Sequence, residues 1–185
     1  MSLVLIKEDG TGLANANSYA NAADGDAYHD GHLYASAWTA ATTGNKEKAL
    51  VMATRLLDAE FQFNGFKRLS TQALQWPRRE CRDPDLENGV IPGLLLSRGP
   101  YLDETKVPAV LVNASAELGR ELIKQDRTDD PDGEGLQTLR IEGALRLEFN
   151  AKDRQPPVTQ IVQTMLAKYG VYIGFKPGMA KLIRT

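Results

Sequence analysis

The sequence predicts a mainly α-helical fold, a small helical bundle with a short β-hairpin or strand segment and extended N- and C-terminal arms. Several segments place apolar residues at spacings of three or four, which is typical of amphipathic helices. A single segment, around Gly143, alternates apolar and polar residues as a half-buried strand does. We therefore expect one helical domain over residues 1–170, with an N-terminal arm over about 1–17 and a C-terminal arm over 171–185.

Composition indicates one compact domain and excludes several classes of protein. The 185 residues are 42% hydrophobic and 25% charged, which is close to the globular average. The net charge of -2 argues against a protein that coats duplex DNA. Because Cys81 is the only cysteine, an internal disulfide or a cysteine zinc cage is excluded. The N-terminus lacks the pattern of a signal peptide or membrane span, so we expect a soluble protein made in the cytoplasm.

The first helix is predicted to begin at a cap formed by Ser18 or Asn21 and to end at Gly31. Before it, residues 3–7 are expected to form a short strand or extended arm, closed by the turn-rich residues 8–12. The apolar side of the helix is predicted to consist of four residues: Tyr19, Ala23, Ala27 and Tyr28.

The second and third helices carry the clearest apolar stripes. Asn45 is the predicted N-cap of the second helix, whose core residues are Leu50, Ala53, Leu57 and Phe61. The third helix is predicted to start near residues 103–105, with Pro108 in its first turn. The residues predicted for its core face are Val107, Val110, Leu111, Ala114, Leu118 and Leu122. We expect a loop over about 77–103.

The last part of the chain combines a hairpin, a helix and an arm. Apolar and polar residues alternate on both sides of Gly143, which predicts the strands of a hairpin that turns near that glycine. The apolar residues are Leu139, Ile141, Leu145, Leu147 and Phe149. Pro156 and Pro157 are predicted to open a final helix that ends at Gly170. Its core face is Val158, Ile161, Val162, Met165, Leu166 and Tyr169. The arm after Gly170 is apolar, contains no acid and carries a charge of +3, so we expect it to dock on a partner.

The chain offers no convincing catalytic, cofactor or metal site, so we predict that it is not an enzyme. His29 and His32 flank a helix-breaking glycine and have no further histidine to complete a metal site. The acidic loop over 130–135 lacks the twelfth-position glutamate of a calcium loop. The Gly10 to Gly12 segment lacks the third glycine of a dinucleotide fingerprint. Cys81 has no histidine near it in sequence that would make it a nucleophile.

The segment from Glu60 to Arg82 combines four aromatic residues with a net charge of +3. Such a pattern is used by proteins that stack single-stranded DNA bases on aromatic rings. The residues predicted for this function are Phe66, Lys67, Arg68 and Trp76. A structural interpretation is favoured, in which the aromatics pack onto the preceding helix and the arginines pair with acids of a neighbouring subunit.

Two motifs carry a family resemblance: Glu8-Asp9-Gly10-Thr11-Gly12-Leu13-Ala14-Asn15-Ala16-Asn17-Ser18-Tyr19 and, later, Gln72-Ala73-Leu74-Gln75-Trp76-Pro77-Arg78. Together they resemble a tailed-bacteriophage family labelled as DnaT-like single-stranded-DNA-binding proteins. The order of helices, polar loop, alternating strands, helix and arm is also similar to the head-to-tail connector, or adaptor, proteins of long-tailed phages.

The connector resemblance implies a structural protein of the virion neck, which is our main functional hypothesis. It implies a dodecameric homo-oligomeric ring beneath the portal protein that extends the DNA channel and binds a downstream neck or tail-completion protein. Genomic duplex DNA would pass without specific binding, and no membrane is involved. The alternative hypothesis is a DnaT-like single-stranded-DNA-binding replication accessory.

The connector hypothesis also assigns surfaces. The predicted portal or subunit interface comprises Val171, Tyr172, Ile173, Phe175, Lys176, Met179, Lys181, Leu182, Ile183 and Arg184. Head-to-tail ring contacts need two complementary patches on each subunit. The predicted charged patches are Arg78, Arg79 and Arg82 on one side and Asp129, Asp130, Asp132 and Glu134 on the other.

Overall fold

The computed structural model describes residues 3–84, 101–129, 138–141, 145–148 and 155–174. The helices are α1 (Ala22–Asp30), α2 (Ser36–Thr39), α3 (Thr43–Glu60), α4 (Ala109–Lys124) and α5 (Gln160–Leu166). The strands are β1 (Phe61–Phe63), β2 (Phe66–Lys67), β3 (Arg78–Arg79), β4 (Thr138–Ile141), β5 (Leu145–Glu148) and β6 (Gly170–Tyr172). The described part of the chain is therefore mainly α-helical with short β-hairpins, as predicted. None of its helices combines the length and apolar character that crossing a membrane requires.

Helix α1 begins and ends where the sequence predicts. The side chain of Asn21 accepts from the amide of Asp24 at 2.9 Å, and the Asp24 carboxylate accepts from the amide of Asn21 at 2.8 Å. The predicted apolar side is correct only for Tyr19, which is buried just before the helix. Ala23 and Ala27 are exposed, and the buried residues within α1 are Gly25 and His29. Gly25 is required there, since a Cβ would lie 2.2 Å from the Trp38 ring of α2, a helix that the sequence analysis did not predict.

Helices α3 and α4 form the centre of the core, although both begin away from the predicted caps. Thr42, and not Asn45, caps α3. Helix α4 begins only after Pro108, whose extended backbone follows a turn in which the Asp103 carboxylate accepts from the amide of Thr105 at 2.9 Å. The predicted core residues Leu50, Ala53, Leu57, Leu111, Ala114 and Leu118 are all buried.

Helix α5 covers one side of this core. Thr159 caps it, and Val158, Val162 and Leu166 are buried as predicted. Ile161 was predicted to be a core residue but is 60% exposed, because it lies about 100° around the helix from Val162. The apolar stripe of α5 is therefore narrower than the sequence indicates.

Two antiparallel strand pairs lie in the segments predicted to form a hairpin and the C-terminal arm. Strands β4 and β5 pair with Ile141 opposite Leu145, which confirms the predicted hairpin; Phe149 lies outside the described residues. Strand β6 pairs with β1, with Tyr172 opposite Phe61 and Gly170 opposite Phe63. Gly170 therefore ends no helix, and the predicted boundary between residues 170 and 171 falls inside a strand of the fold.

Candidate nucleic-acid interface

The segment that follows α3 folds into a small platform built on strands β1, β2 and β3. Strand β1 continues α3 directly, and the chain then turns at Asn64 and Gly65 into β2. Gly65 has a φ of +72°, and a Cβ there would lie 2.4 Å from the carbonyl oxygen of Arg79. Only glycine fits this close approach, so the turn brings β2 against β3.

One side of this pair carries an exposed aromatic ring beside an exposed cation. Strands β2 and β3 pair with Phe66 opposite Arg79 and Lys67 opposite Arg78. Phe66 is 61% exposed, and Arg79 is also exposed. Because residues directly opposite each other in an antiparallel pair share a face, an exposed ring and a guanidinium lie side by side. We call Phe66 and Arg79 the hairpin face. Lys67 follows Phe66 in β2 and lies opposite the buried Arg78, so its side chain points to the other side of the pair.

Arg68, the second cation predicted for single-strand binding, makes a hydrogen bond within the chain. Its side chain is partly buried, and Nη1 donates to the carbonyl oxygen of Gly10 at 2.9 Å. It ties the hairpin to the N-terminal loop and is therefore a poorer candidate for a phosphate contact than Arg79.

Arg78 holds the platform together from inside. It is 7% exposed, and its guanidinium donates to the carbonyl oxygens of Asn64 at 2.7 Å, Phe63 at 3.1 Å, Gly65 at 2.6 Å and Gln75 at 3.1 Å. Burial lowers the pKa of this guanidinium. Arg78 is therefore not available to the predicted inter-subunit patch, because the N–H groups of its guanidinium are used to hold the turn that precedes Phe66.

Trp76 belongs to the core and not to a stacking surface. Its ring is 1% exposed and meets Phe63 edge to face, with ring centroids 5.9 Å apart. The Trp76-Pro77 peptide is cis. A base has no access to this ring in the folded protein, so the predicted role of Trp76 in single-strand binding does not agree with its burial.

Gln72 of the second motif is also buried, and its side chain makes hydrogen bonds within the loop. It is 4% exposed; its Oε1 accepts from the amide of Leu69 at 2.9 Å, and its Nε2 donates to the carbonyl oxygens of Leu74 and Pro77 at 2.9 and 3.0 Å. Leu74 and Pro77 are also buried. The motif residues Gln72, Leu74, Trp76, Pro77 and Arg78 therefore shape the loop that leads into β3.

The two motifs meet through Tyr19 and Asp58. The Tyr19 hydroxyl donates to Asp58 Oδ1 at 2.5 Å and accepts from the Trp76 amide at 3.2 Å. Asp58 Oδ2 accepts from the amide of Gln75 at 3.0 Å. Burial raises the pKa of Asp58 to about 6, against the opposing effects of these hydrogen bonds and of the nearby cations Lys67 and Arg78.

Glu8 provides a second junction that the sequence analysis did not identify. Its carboxylate is buried and accepts from the amides of Gly10, Gly12 and Leu13, each at 2.9 Å. The carbonyl oxygen of Leu13 in turn accepts from the amide of Ala73 at 3.0 Å. The Glu-x-Gly-x-Gly spacing was the available signal, since one carboxylate can collect several amides of a tight glycine turn.

Comparison with known proteins agrees with the motifs. A family model described as "Putative DnaT-like ssDNA binding protein" matches residues 3–185. The chain belongs to this family. Matches were found neither among curated proteins nor among solved structures. The resemblance to the DnaT-like family is thus confirmed, whereas the likeness to phage connectors stays a prediction.

In this DnaT-like chain the predicted connector surfaces lie only partly within the described residues. Val171 and Ile173 are each 57% exposed, whereas the Tyr172 hydroxyl donates to Glu60. Arg79, Arg82 and Asp129 are exposed. The remaining predicted residues lie outside the described ones: Phe175, Lys176, Met179, Lys181, Leu182, Ile183, Arg184, Asp130, Asp132 and Glu134.

The described residues of the DnaT-like chain also bear on the rejected metal site. Within those ranges, no group of three or more histidine, cysteine or carboxylate side chains is arranged to hold a metal ion. His29 is buried and bonded to the Ala116 carbonyl oxygen at 3.1 Å, so it serves the packing of α1 on α4. Cys81 is buried, and burial raises the pKa of its thiol, which opposes a role as a nucleophile.

Proposed function

We propose that the protein binds single-stranded DNA on the hairpin face formed by Phe66 and Arg79. The observation that carries this proposal is the exposed Phe66 ring opposite the exposed Arg79 on a rigidly supported pair of strands. Membership of a family described as binding single-stranded DNA supports it. An aromatic ring beside cations offers a base a stacking surface and its phosphates a charge.

The hairpin face favours a single strand over a duplex. A base can stack on Phe66 only when at least one of its faces is free. In a duplex, neighbouring bases cover both faces. The face supplies one cation, Arg79, and the whole chain has a net charge of -2, so a long phosphate track is not attracted. We therefore expect a short site with a modest dependence of affinity on salt.

The proposal is tested by replacing Phe66 with alanine and titrating a labelled oligothymidylate. Loss of base stacking is expected to cost about 1–3 kcal/mol, which weakens binding roughly 5- to 150-fold. Tyr34→Ala is the matched control, because Tyr34 is 71% exposed on the α1–α2 connection, outside the hairpin face. Arg79→Gln is expected to lower the slope of log affinity against log salt by about one, whereas Arg55→Gln on α3 leaves it unchanged.

The result that contradicts the proposal is equal affinity of wild type and Phe66→Ala for the oligonucleotide, with both proteins equally folded by circular dichroism. Equal losses in Phe66→Ala and Tyr34→Ala also contradict it, because binding would then not be centred on the hairpin face.

A second candidate is the head-to-tail connector of a tailed phage, located in the virion neck. The observation that favours it is the exposed apolar pair Val171 and Ile173, which lies where β6 leads into the basic C-terminal segment. An apolar strand edge continued by such a segment suits docking on another polypeptide. On this candidate the chain forms a ring, binds the portal and a neck or tail-completion protein, and lets duplex DNA pass.

A further inference from the structure

Buried polar groups cluster beneath the connection between α1 and α2. Glu117 and Arg120 of α4 are 2% and 4% exposed, and His29 of α1 is 3% exposed. Four buried side-chain atoms in the described part of the chain have no hydrogen-bond partner, and three belong to this cluster: Glu117 Oε2, Arg120 Nε and His29 Nδ1. The cluster shares none of its members with the hairpin face.

His32 lies at the edge of this cluster, and its hydrogen bonds define its tautomer. The amide of Tyr34 donates to His32 Nδ1 at 3.0 Å, so Nδ1 must be the acceptor of the neutral ring. The single proton of that ring is then on Nε2. His32 Nε2 lies 3.7 Å from Glu117 Oε2, the carboxylate oxygen that lacks a partner. The protonated nitrogen of the neutral ring therefore lies near a buried carboxylate.

The charged and titratable groups around His32 come from α1, α4 and the connection itself. Arg120 pairs with Glu117 and with Glu121, and its Nη1 donates to the Tyr34 carbonyl oxygen at 3.3 Å. The His29 ring is 5.7 Å from the His32 ring. Burial lowers the pKa of His29, which favours the neutral form of its ring. Asp30 is exposed on the last turn of α1.

We propose that protonation of His32 acts as a switch that detaches the Tyr34 backbone from the imidazole while Glu117 retains the ring. The second proton must go to Nδ1, where it faces the Tyr34 amide proton, and two donors cannot bond each other. The added positive charge is attracted to Glu117 Oε2 at the same time. The segment that is freed is an exposed apolar tip, with Leu33 84% and Tyr34 71% exposed.

The switch is tested by amide hydrogen exchange of Tyr34 in the full chain, compared between wild type and His32→Asn. An asparagine Oδ1 occupies the position of Nδ1 and accepts from the Tyr34 amide at every pH. Imidazoles change charge between pH 5 and 8. After correction for intrinsic exchange, the wild-type Tyr34 amide should exchange about two- to ten-fold faster at pH 5 than at pH 8, because one hydrogen bond is lost. The asparagine variant should show no such change.

A second measurement keeps the proposal testable if the variant folds poorly. In the wild-type protein, the ¹⁵N resonances of the His32 ring should show the Nε2-protonated tautomer at pH 8 and should titrate with the same midpoint as the Tyr34 amide. A neutral ring protonated on Nδ1, or different midpoints, would overturn the proposal. Identical pH dependence of Tyr34 exchange in wild type and His32→Asn would overturn it as well.

Discussion

Asp58 supports the loop beneath the hairpin face, and its contribution to the stability of the fold depends on pH. It accepts from Tyr19 and from the Gln75 amide, and burial raises its pKa from 3.8 to about 6. The folded protein therefore binds this proton more tightly than the unfolded chain does. The stability contributed by this group is fully present below about pH 4 and is lost as the pH rises through about 6.

We predict that Asp58→Asn removes this dependence. Relative to the variant, the wild-type free energy of unfolding should fall between about pH 4 and 6.5, by up to about 1.4 kcal/mol per pH unit. Urea unfolding at a series of pH values, followed by circular dichroism, measures the difference. Parallel pH profiles of the two proteins would show that Asp58 does not titrate in this window.

Tyr19→Phe provides the matched comparison for Asp58. The Tyr19 hydroxyl lowers the pKa of Asp58 by donating to it, so its removal should raise that pKa further. The pH window in which stability falls should then extend upward relative to wild type. A window displaced downward would mean that the Tyr19 hydroxyl does not stabilise the ionised carboxylate.

Among the elements, strand β6 is part of the folded domain, and the C-terminal segment that could bind a partner begins only after it. Tyr172 packs edge to face on Phe61 with ring centroids 5.5 Å apart, and the amide of Ile173 donates to the Glu60 carbonyl oxygen at 2.8 Å. The chain then passes Gly174, where a Cβ would lie 2.0 Å from Glu60 Oε2. A truncation that tests the C-terminal segment must therefore start after Gly174 and not at Val171.

We predict that removal of residues 175–185 leaves a folded protein, whereas removal of 170–185 uncovers Phe61 and Phe63. The longer deletion should lower the free energy of unfolding by about 3 kcal/mol or more. Urea unfolding distinguishes the two. For the connector candidate, the shorter deletion should abolish attachment to portal particles in sedimentation, and retained attachment would contradict that candidate.

Helices α3, α4 and α5 could be predicted from sequence because their apolar spacing indicates which face is buried. Helix α2 could not, because its four residues are too few to show a periodic pattern. The starts of α3 and α4 could not, since Thr42 and Asn45 are both good caps and Asp103 forms a turn of its own. Strands β1, β2 and β3 are two or three residues long, too short to show alternation. Strand β1 pairs with β6, which is distant in sequence. Arg78 donates to the carbonyl oxygens of the turn between β1 and β2, a contact that no periodic pattern reveals.

For the molecule as a whole, the sequence identified the correct segment as a candidate site but not its exposed residues. Composition alone marked the cluster of aromatics and cations between Glu60 and Arg82. Whether Phe66 or Trp76 is accessible depends on how that segment packs on α3 and on the N-terminal loop. Trp76 is buried by this packing and Phe66 is left outside, so the candidate site is smaller than the one predicted from sequence.

The most direct test of the proposed function is a map of the amide resonances that move when oligothymidylate is added to the full-length protein. Binding at the hairpin face predicts saturable shifts that are largest at Phe66 and Arg79 and that diminish as salt is raised. Shifts that are absent at millimolar oligonucleotide, or that are centred elsewhere on the chain, would contradict the account.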